Sequence, residues 1–364
     1  MGLRTLARSI AWEVGTRLRP VRDGGETKAV IERAREMAAA IRPSPLAPSA
    51  FWNDLNDQHL RALAALGIGR FKAALNHQYF NWLVVDKAHD QWQYLAGLYP
   101  EIASTPALPL HGRAAPREGG RRVHLFNPAA RAIYAKHLEM LWHHTRVTVG
   151  DCPLQEPLLG EPFTITVDGQ TVSQDLANSF REFSRVMPHL RGADRPVVAE
   201  IGAGYGRLAF VGLQRAKLRY WIFDVPPALA ISEWYLPKAL PHLKVRRWAP
   251  FGSWDEIAAE AAAADLSFFS IDQLPLVPAG SITAAAAVSS IHEMTPDTIA
   301  ALMRMLGEKT QRAIYTKNWT DWTNPRDGFN FRSIDLKAPQ GWRTEFDRVD
   351  DVAHSFTEKL FVRE

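Results

Sequence analysis

The stretch V-V-A-E-I-G-A-G-Y-G-R-L-A-F, residues 197–210, decides the fold of this chain. Its first four residues are mostly apolar and β-branched, which predicts a buried strand of a parallel sheet. Glycines then stand at alternate positions, Gly202, Gly204 and Gly206, and an apolar helical pattern follows. Glycine has no Cβ, so a backbone built from it can turn tightly and approach a ligand closely. The stretch predicts the strand, turn and helix that open a nucleotide-binding βαβ unit.

The spacing of the glycines distinguishes between two kinds of nucleotide loop. A dinucleotide fingerprint reads G-x-G-x-x-G, whereas here the third glycine comes one residue earlier and Arg207 takes the next position. With Glu200 two residues before the first glycine, the pattern E-x-G-x-G-x-G resembles motif I of the class I S-adenosylmethionine (SAM) methyltransferases. The resemblance implies that the loop backbone cradles the amino-acid end of SAM and that Glu200 helps to hold its ammonium group. The loop residues so implied are Gly202, Ala203, Gly204, Tyr205 and Gly206.

A carboxylate follows the next predicted strand, Y-W-I-F at residues 220–223. Asp224 stands at its tip, where a carboxylate can accept both ribose hydroxyls of a nucleotide. We assign it that role, with Val225 beside it as a further cofactor contact. The alternative is a helix cap, because Pro226 and Pro227 follow as they would at the start of a helix.

A second carboxylate follows residues 266–271, L-S-F-F-S-I, which predict another buried strand. Asp272 and Gln273 come directly after it. In the class I superfamily this strand end contacts the adenine, and the resemblance therefore implies Asp272 and Gln273 as adenine residues. An aspartate that merely forms a turn is the alternative.

Length and composition limit the class of protein. At 364 residues the chain is long enough for two domains, and we predict a mainly helical N-terminal region over 1–150 and a SAM-binding domain over 151–364. The net charge of +4 is spread along the chain and lacks the clustering of a nucleic-acid-binding surface. A single cysteine, the absence of an apolar run of about 18 residues and the absence of a signal-peptide core predict a cytoplasmic protein without a transmembrane segment.

The fold class predicted is α/β, a Rossmann-like, doubly wound and mostly parallel sheet. Residues 160–172 alternate apolar and polar side chains around Asp168-Gly169, which predicts a hairpin before this sheet. Further strands are predicted at 282–289 and 313–315, and residues 359–363 are predicted to form a last edge strand. A long loop is predicted to follow residue 315 and to contain Trp319.

Several motifs together resemble one narrower family. They are N-H-Q-Y-F-N-W (76–82), F-D-V-P-P-A-L (223–229), S-S-I-H-E-M (289–294) and Y-T-K-N-W (315–319). They resemble the sugar O-methyltransferase (NanM-like) family found in antibiotic and polysaccharide gene clusters, over residues 70–364. The resemblance implies SAM as methyl donor and, as acceptor, a hydroxyl of a sugar, a glycan or a nucleotide sugar.

Transfer of a methyl group to a sugar hydroxyl requires a base, because the hydroxyl is a poor nucleophile at neutral pH. His292 is the first candidate, since it titrates near neutral pH and follows the strand 282–289. Glu293 could orient the imidazole, bind the sugar or act as the base itself. Adjacent residues at a strand end are expected to point to opposite sides, so only one should face the acceptor. The alternative is that His292 packs in the core and Glu293 caps the next helix.

Candidate acceptor-binding residues lie in the aromatic segments. We predict that Tyr79, Asn81, Trp319 and Asp327 contact the sugar, by stacking or hydrogen bonding, although simple packing is an alternative for each. Magnesium could bind an acceptor diol through Glu293, Asp321 and Asp327, but no spacing identifies a site, and we predict no metal. The sequence does not indicate the oligomeric state.

Three other functions remain open at this point. A methyltransferase of a non-sugar small molecule or peptide would share the SAM loop. A nicotinamide-dependent oxidoreductase would share the fold, although the glycine spacing argues against it. A non-catalytic scaffold of methyltransferase type would bind a partner and would not need His292.

Overall fold

A computed structural model describes residues 23–48, 50–74, 83–112, 127–325 and 328–364. Among them, one compact unit takes the residues before 34 together with 57–177, and a second takes 34–56 and 178–364. The boundary predicted at residue 150 differs from this division. The sequence did not predict that segment 34–56 would belong with residues far along the chain.

The first half of the chain is mainly helical, as the composition of this region predicts. Its elements are α1 (Glu26–Ala39), α2 (Ala50–Leu66), α3 (Phe71–Ala74), α4 (Asp90–Leu98), α5 (Pro100–Ser104), α6 (Pro128–Val149) and a hairpin of β1 (Ile165–Val167) and β2 (Gln170–Val172). The predicted hairpin is confirmed by the antiparallel pairing of β1 with β2. Its turn residues Asp168 and Gly169 have φ of 50° and 78°, the conformation that matches the twist of a two-residue hairpin.

The second unit contains an eight-stranded sheet. Its strands are β3 (Val197–Ile201), β4 (Arg219–Asp224), β5 (Val245–Arg246), β6 (Leu266–Ser270), β7 (Ile282–Val288), β8 (Thr310–Trp319), β11 (Trp342–Val349) and β12 (Phe356–Arg363). They lie in the order β11-β12-β8-β7-β3-β4-β6-β5. The strands from β3 to β8 pair in parallel, and β12 is antiparallel to both of its neighbours. The predicted Rossmann-like, mostly parallel fold is confirmed.

Helices connect these strands in the alternating order expected of an α/β fold. They are α7 (Gln174–Val186), α8 (Arg207–Arg215), α9 (Pro226–Ala239), α10 (Ala258–Ala263) and α11 (Pro296–Lys309). The strand order reverses between β3 and β7, which are neighbours. The connections leaving these two strands diverge there, and open α/β sheets bind ligands at such a point.

Two predictions for the C-terminal part are wrong. The strand predicted as an edge, β12, lies inside the sheet, and β11 is the edge. The sequence missed β11 because its residues are mostly charged and exposed, as is common for an edge strand. The prediction of a loop at Trp319 is also wrong, because β8 extends to Trp319. A small hairpin of β9 (Asp321–Thr323) and β10 (Asn330–Arg332) follows it.

The described ranges contain no helix with both the length and the apolar character needed to cross a bilayer.

Candidate functional site

The functional candidates of the second unit lie where β3, β4, β6 and β7 end. Parallel strands end at the same edge of a sheet, and the residues following them are therefore brought together. The glycine loop follows β3, Asp224 ends β4, Asp272 follows β6, and a 3-10 turn with His292 and Glu293 follows β7.

The glycine loop requires glycine at the positions that the sequence indicated. Gly202, Gly204 and Gly206 have φ of 72°, 60° and 90°, a left-handed region that other residues rarely adopt. A Cβ on Gly202 would lie 2.4 Å from the Cβ of Ser290, and one on Gly206 would lie 2.5 Å from Leu236 Cδ1. The loop thus fits against the neighbouring strand end and α9 only without side chains.

The other two loop residues are buried. Tyr205 is 1% exposed and packs edge-on against Tyr235 at a centroid distance of 5.2 Å. Ala203 is also buried. Tyr205 therefore anchors the loop in the core through its side chain, and the part of this residue available to a ligand is its backbone.

Asp224 joins the loop to the end of β4. Its carboxylate accepts hydrogen bonds from the backbone N–H groups of Gly204 (2.8 Å) and Val225 (2.7 Å). Burial raises the pKa of Asp224 to about 7, although these N–H groups oppose the rise. The helix-cap alternative does not describe this geometry, because Val225 is the N-cap of α9 and that cap has no side-chain hydrogen bond.

The side chain of Glu200 is buried, whereas a side chain that binds a ligand is expected to be accessible. Glu200 is 2% exposed, and its Oε2 accepts a hydrogen bond of 2.7 Å from the hydroxyl of Tyr220. Burial raises the pKa of Glu200 to about 8, while the bond from Tyr220 and the charge of Arg207 act against it. The side chain fixes β3 to β4, and the ammonium-binding role implied by the motif stays a prediction.

Asp272 and Gln273 differ in what their side chains already bind. Gln273 accepts from the backbone N–H of Ser270 (3.0 Å) and donates to the carbonyl of Ala249 (2.9 Å). Asp272 is 5% exposed, and its Oδ2 accepts from the backbone N–H of Arg42 (3.1 Å), while its buried Oδ1 has no partner. Both residues line a cavity of about 340 Å³.

The 3-10 turn Ile291–Glu293 is held by Asn318 of β8. Asn318 Oδ1 accepts from the backbone N–H groups of Ile291 (3.1 Å) and His292 (3.3 Å), and it lies 3.3 Å from His292 Nδ1. Because Oδ1 can only accept, the contact assigns the imidazole proton to Nδ1 and leaves Nε2 as an acceptor. Ser289, just before the turn, has a φ of 55°, the kind of backbone strain that often accompanies functional sites.

His292 is buried among aromatic rings. It is 1% exposed, with its ring 5.2 Å from that of Trp322 in β9 and 6.1 Å from that of Phe331 in β10. Burial lowers the pKa of His292 to about 4, and the contact with Asn318 only partly opposes this. The imidazole is thus neutral at pH 7, and as a base it is weaker than the sequence suggested.

Glu293 is the more accessible of the two. Its side chain is 17% exposed, and Oε1 lies 3.7 Å from His292 Nε2. The expectation that the two side chains point to opposite sides is wrong, because they occupy a 3-10 turn beyond the strand. Burial, together with the charge of Asp224, raises the pKa of Glu293 to about 8.

The predicted acceptor residues are not brought together by the described part of the chain. Tyr79, Asn81 and Asp327 lie outside the described residues. Trp319 pairs with Phe356 in the sheet, and the two rings are tilted at 33° with centroids 4.9 Å apart. Trp319 is half-buried and its role towards a sugar stays a prediction, whereas the aromatic residue next to His292 is Trp322.

Two residues of the site were missed from the sequence. Asn318 lies in the motif Y-T-K-N-W, whose likeness to a family could have drawn attention to it. Arg42 gave no signal, because it precedes the SAM loop by a long stretch of chain. For metals, no group of three or more His, Cys, Asp or Glu side chains among the described residues is arranged to hold an ion.

Comparison of the sequence with protein-family models gives no match, and neither does comparison with curated proteins. Solved structures similar to this chain include the magnesium protoporphyrin IX methyltransferase ChlM from Synechocystis PCC 6803 with bound SAM (12% identity, 54% of this chain, 87% of that chain, TM-score 0.37). The glycopeptide N-methyltransferase MtfA complexed with SAM is similar at 14% identity, over 50% of this chain and 93% of that chain, with a TM-score of 0.33. The mitomycin 7-O-methyltransferase MmcR is similar at 14% identity, over 52% of this chain and 56% of that chain, also with a TM-score of 0.33.

Proposed function

We propose that this chain is a SAM-dependent methyltransferase whose acceptor is a hydroxyl of a sugar, a glycan or a nucleotide sugar. The observation that carries the proposal is the edge of the sheet where a glycine loop meets three acidic strand ends. The loop follows β3, and Asp224, Asp272 and Glu293 stand at the ends of β4, β6 and β7. Each of these positions matches a role that SAM chemistry requires.

The residues present fit SAM. A Cβ on Gly202 or Gly206 would collide with Ser290 or Leu236, so glycine lets the loop pack this closely, and a loop backbone without side chains can be approached closely by a ligand. The carboxylate of Asp224 lies against the loop backbone, which supports the proposal that it accepts from the ribose hydroxyls, and Oδ1 of Asp272, unpartnered among the described residues, would accept from an amino group of the base. When bound, SAM would supply a methyl group made electrophilic by its sulfonium.

The proton of the acceptor hydroxyl must leave as its oxygen takes the methyl group. We assign Glu293 as the base, because a carboxyl group with a pKa of about 8 is matched to neutral conditions better than an imidazole with a pKa of about 4. His292 lies beside the base, with Nε2 3.7 Å from Oε1; because Nε2 is an acceptor, it can accept only from the protonated carboxyl and offers the carboxylate no donor. Asn318 holds the turn that carries both residues. Methyl transfer requires the acceptor oxygen, the methyl carbon and the sulfur to lie in line, and a rigid turn holds the base in position for that geometry.

The sugar as acceptor rests on the resemblance of the quoted motifs and on the aromatic residues beside the base. Trp322 and Phe331 of the β9–β10 hairpin lie against His292, and aromatic faces bind the apolar faces of sugar rings. Among the described residues, no group of three or more His, Cys, Asp or Glu side chains could hold a metal ion. The proposal does not include magnesium. The single buried cysteine is consistent with the cytoplasm, where we expect the protein to act.

The first experiment is calorimetric titration of the full chain with SAM, S-adenosylhomocysteine and NADH in parallel. We expect micromolar binding of the first two and none of the third. Binding of NADH alone would overturn the assignment of the loop, and silence from all three would favour a scaffold. If SAM binds, turnover with nucleotide sugars and oligosaccharides, compared with peptides and phenols, tests the acceptor class.

A further inference from the structure

Residues 40–48, which we name the strap, follow α1 and precede α2 in the chain. They belong to the second unit. They lie against the ends of two sheet strands that carry proposed cofactor residues, β4 and β6. At one end of the strap Ala40 and Arg42 line the 340 Å³ cavity with Asp272, Trp248 and Phe251.

Arg42 makes two contacts with Asp272. Its backbone N–H donates to Oδ2 at 3.1 Å, and its side-chain Nε lies 3.5 Å from the same oxygen. Both contacts use Oδ2, so Oδ1 is left buried and, within the described part of the chain, without a hydrogen-bond partner. A buried acceptor of this kind is costly unless a donor reaches it. Arg42 thus fixes the carboxylate in an orientation that presents one acceptor.

The other end of the strap packs on the neighbouring strand ends. Leu46 is 3% exposed. Together with Pro48, Trp52, Val225 and Ile271, it lines a small cavity of about 40 Å³. Val225 and Ile271 are the chain neighbours of Asp224 and Asp272. The apolar contact and the polar contact hold the strap at two separate points.

We propose that the strap is part of the cofactor site and that Arg42 is a positioning residue for the recognition of the exocyclic amino group of adenine by Asp272. This inference rests on the proposed function. Arg42 acts through Asp272 and does not itself contact the base. The Arg42 side chain should therefore change the selectivity of the site between a 6-amino and a 6-oxo purine, because a 6-amino group can donate to Oδ1 and a 6-oxo group cannot.

The test compares the affinities of S-adenosylhomocysteine and its 6-oxo analogue, S-inosylhomocysteine, by calorimetry on the full chain. Wild type should prefer the amino compound. In Arg42→Ala the backbone N–H still donates to Oδ2 and only the ion pair of Nε with Oδ2 is lost, so we expect the ratio of the two affinities to fall by about threefold. A merely structural role would weaken both compounds equally and leave the ratio unchanged, which would overturn the proposal.

Arg247→Ala is the matched control. Arg247 is also an exposed arginine beside a buried carboxylate, Glu233 at 3.9 Å, and it does not line the cavity. It should keep the wild-type ratio, and an equal fall in this variant would also overturn the role of Arg42. Arg42→Lys, which keeps the charge, should recover part of the ratio. If the wild type binds neither compound, the proposed function and this inference both fail. If Arg42→Ala keeps the wild-type ratio, only this inference fails.

Discussion

Two groups of buried carboxylates in the second unit differ in their counter-charges. Glu182 and Asp350 belong to an ionic network: Lys317 Nζ lies 3.3 Å from Glu182 Oε1 and 2.8 Å from Asp350 Oδ2. Arg207 pairs with Glu182, and Arg181 Nη2 lies 3.3 Å from Asp350 Oδ1. Burial alone would raise the pKa of both carboxyl groups, but the paired cations lower both.

The second group stands at the carboxyl edge of the sheet. Asp224 accepts from backbone N–H groups, and burial raises its pKa to about 7. Glu293 lies near the neutral imidazole of His292, and burial raises its pKa to about 8. Burial thus accompanies opposite shifts of the carboxyl pKa in the two groups, depending on whether a cation is paired with the carboxyl group. Uncompensated burial is common where a protein must bind or react, and paired burial is common where it must hold a fold. Five experiments test this contrast and the glycine loop beside it.

The largest expected effect is on turnover. In Glu293→Gln we expect the methylation rate to fall by about 10² to 10⁴, the usual contribution of a general base. Affinity for SAM and stability should change little, because the amide keeps the volume and carries no charge to bury. Near-normal turnover would remove Glu293 as the base, and a loss confined to His292→Ala would return that role to the imidazole.

The pH profile sharpens this prediction. A base works in its deprotonated form, so the wild-type rate should rise with pH and level off near or below pH 8, since bound SAM, a cation, favours the carboxylate. Glu293→Gln should lack this rise. A rise centred near pH 4 in the wild type would instead report the imidazole of His292.

The next effect concerns the ionic network. Lys317→Met leaves two buried carboxylates with fewer cations, and we expect the free energy of unfolding to fall by about 3–5 kcal/mol in urea denaturation. Lys309→Met is the control, because Lys309 is buried but its Nζ donates to the carbonyls of Pro275 and Val277. An equal loss in the control would show that removing any buried lysine has this effect and that the pairing is not special.

The glycine loop offers a smaller effect that a matched pair can isolate. Gly202→Ala adds a Cβ that would lie 2.4 Å from Ser290 Cβ, and φ there is 72°. Gly192→Ala has nearly the same φ, 73°, but no heavy atom within 4 Å. Both should lose about 1–3 kcal/mol to backbone strain, but only Gly202→Ala should also weaken SAM binding, by about tenfold. Equal SAM affinity in the two variants would contradict the loop's role.

The smallest effect is a proton count. Asp224 has a pKa of about 7 in the ligand-free chain, and a cationic ligand with donating hydroxyls favours its carboxylate. Binding of SAM near pH 6–7 should therefore release up to about one proton, and well above pH 8 it should release none from this group. Calorimetry in buffers of different ionisation heats measures the release. In Asp224→Asn the release should fall to the part that comes from Glu293, whose carboxylate bound SAM also favours, and an unchanged release would place the titrating group elsewhere.

Much of the fold, and which residues meet at the carboxyl edge of the sheet, could be predicted from sequence, because their signals are local. The run before Gly202, the glycine spacing and the aspartates after two apolar strands follow from adjacent residues. The errors at β11 and β12 arose because strand order is set by pairing partners far apart in sequence. The pKa of His292 could not be predicted either, since Trp322, Phe331 and Asn318 reach it from later elements. The pKa of Glu293 depends on its burial and on Asp224 of an earlier strand.

By itself, the sequence determined where the backbone must turn without a Cβ and which carboxylates end its strands, because these depend on residue type and spacing. Only the tertiary structure decided which buried acids meet a lysine or arginine and which do not. It also decided that Arg42 meets Asp272. Charge pairing depends on distances of a few ångströms between residues that the chain separates by 25 to 230 positions, and the fold alone sets those distances.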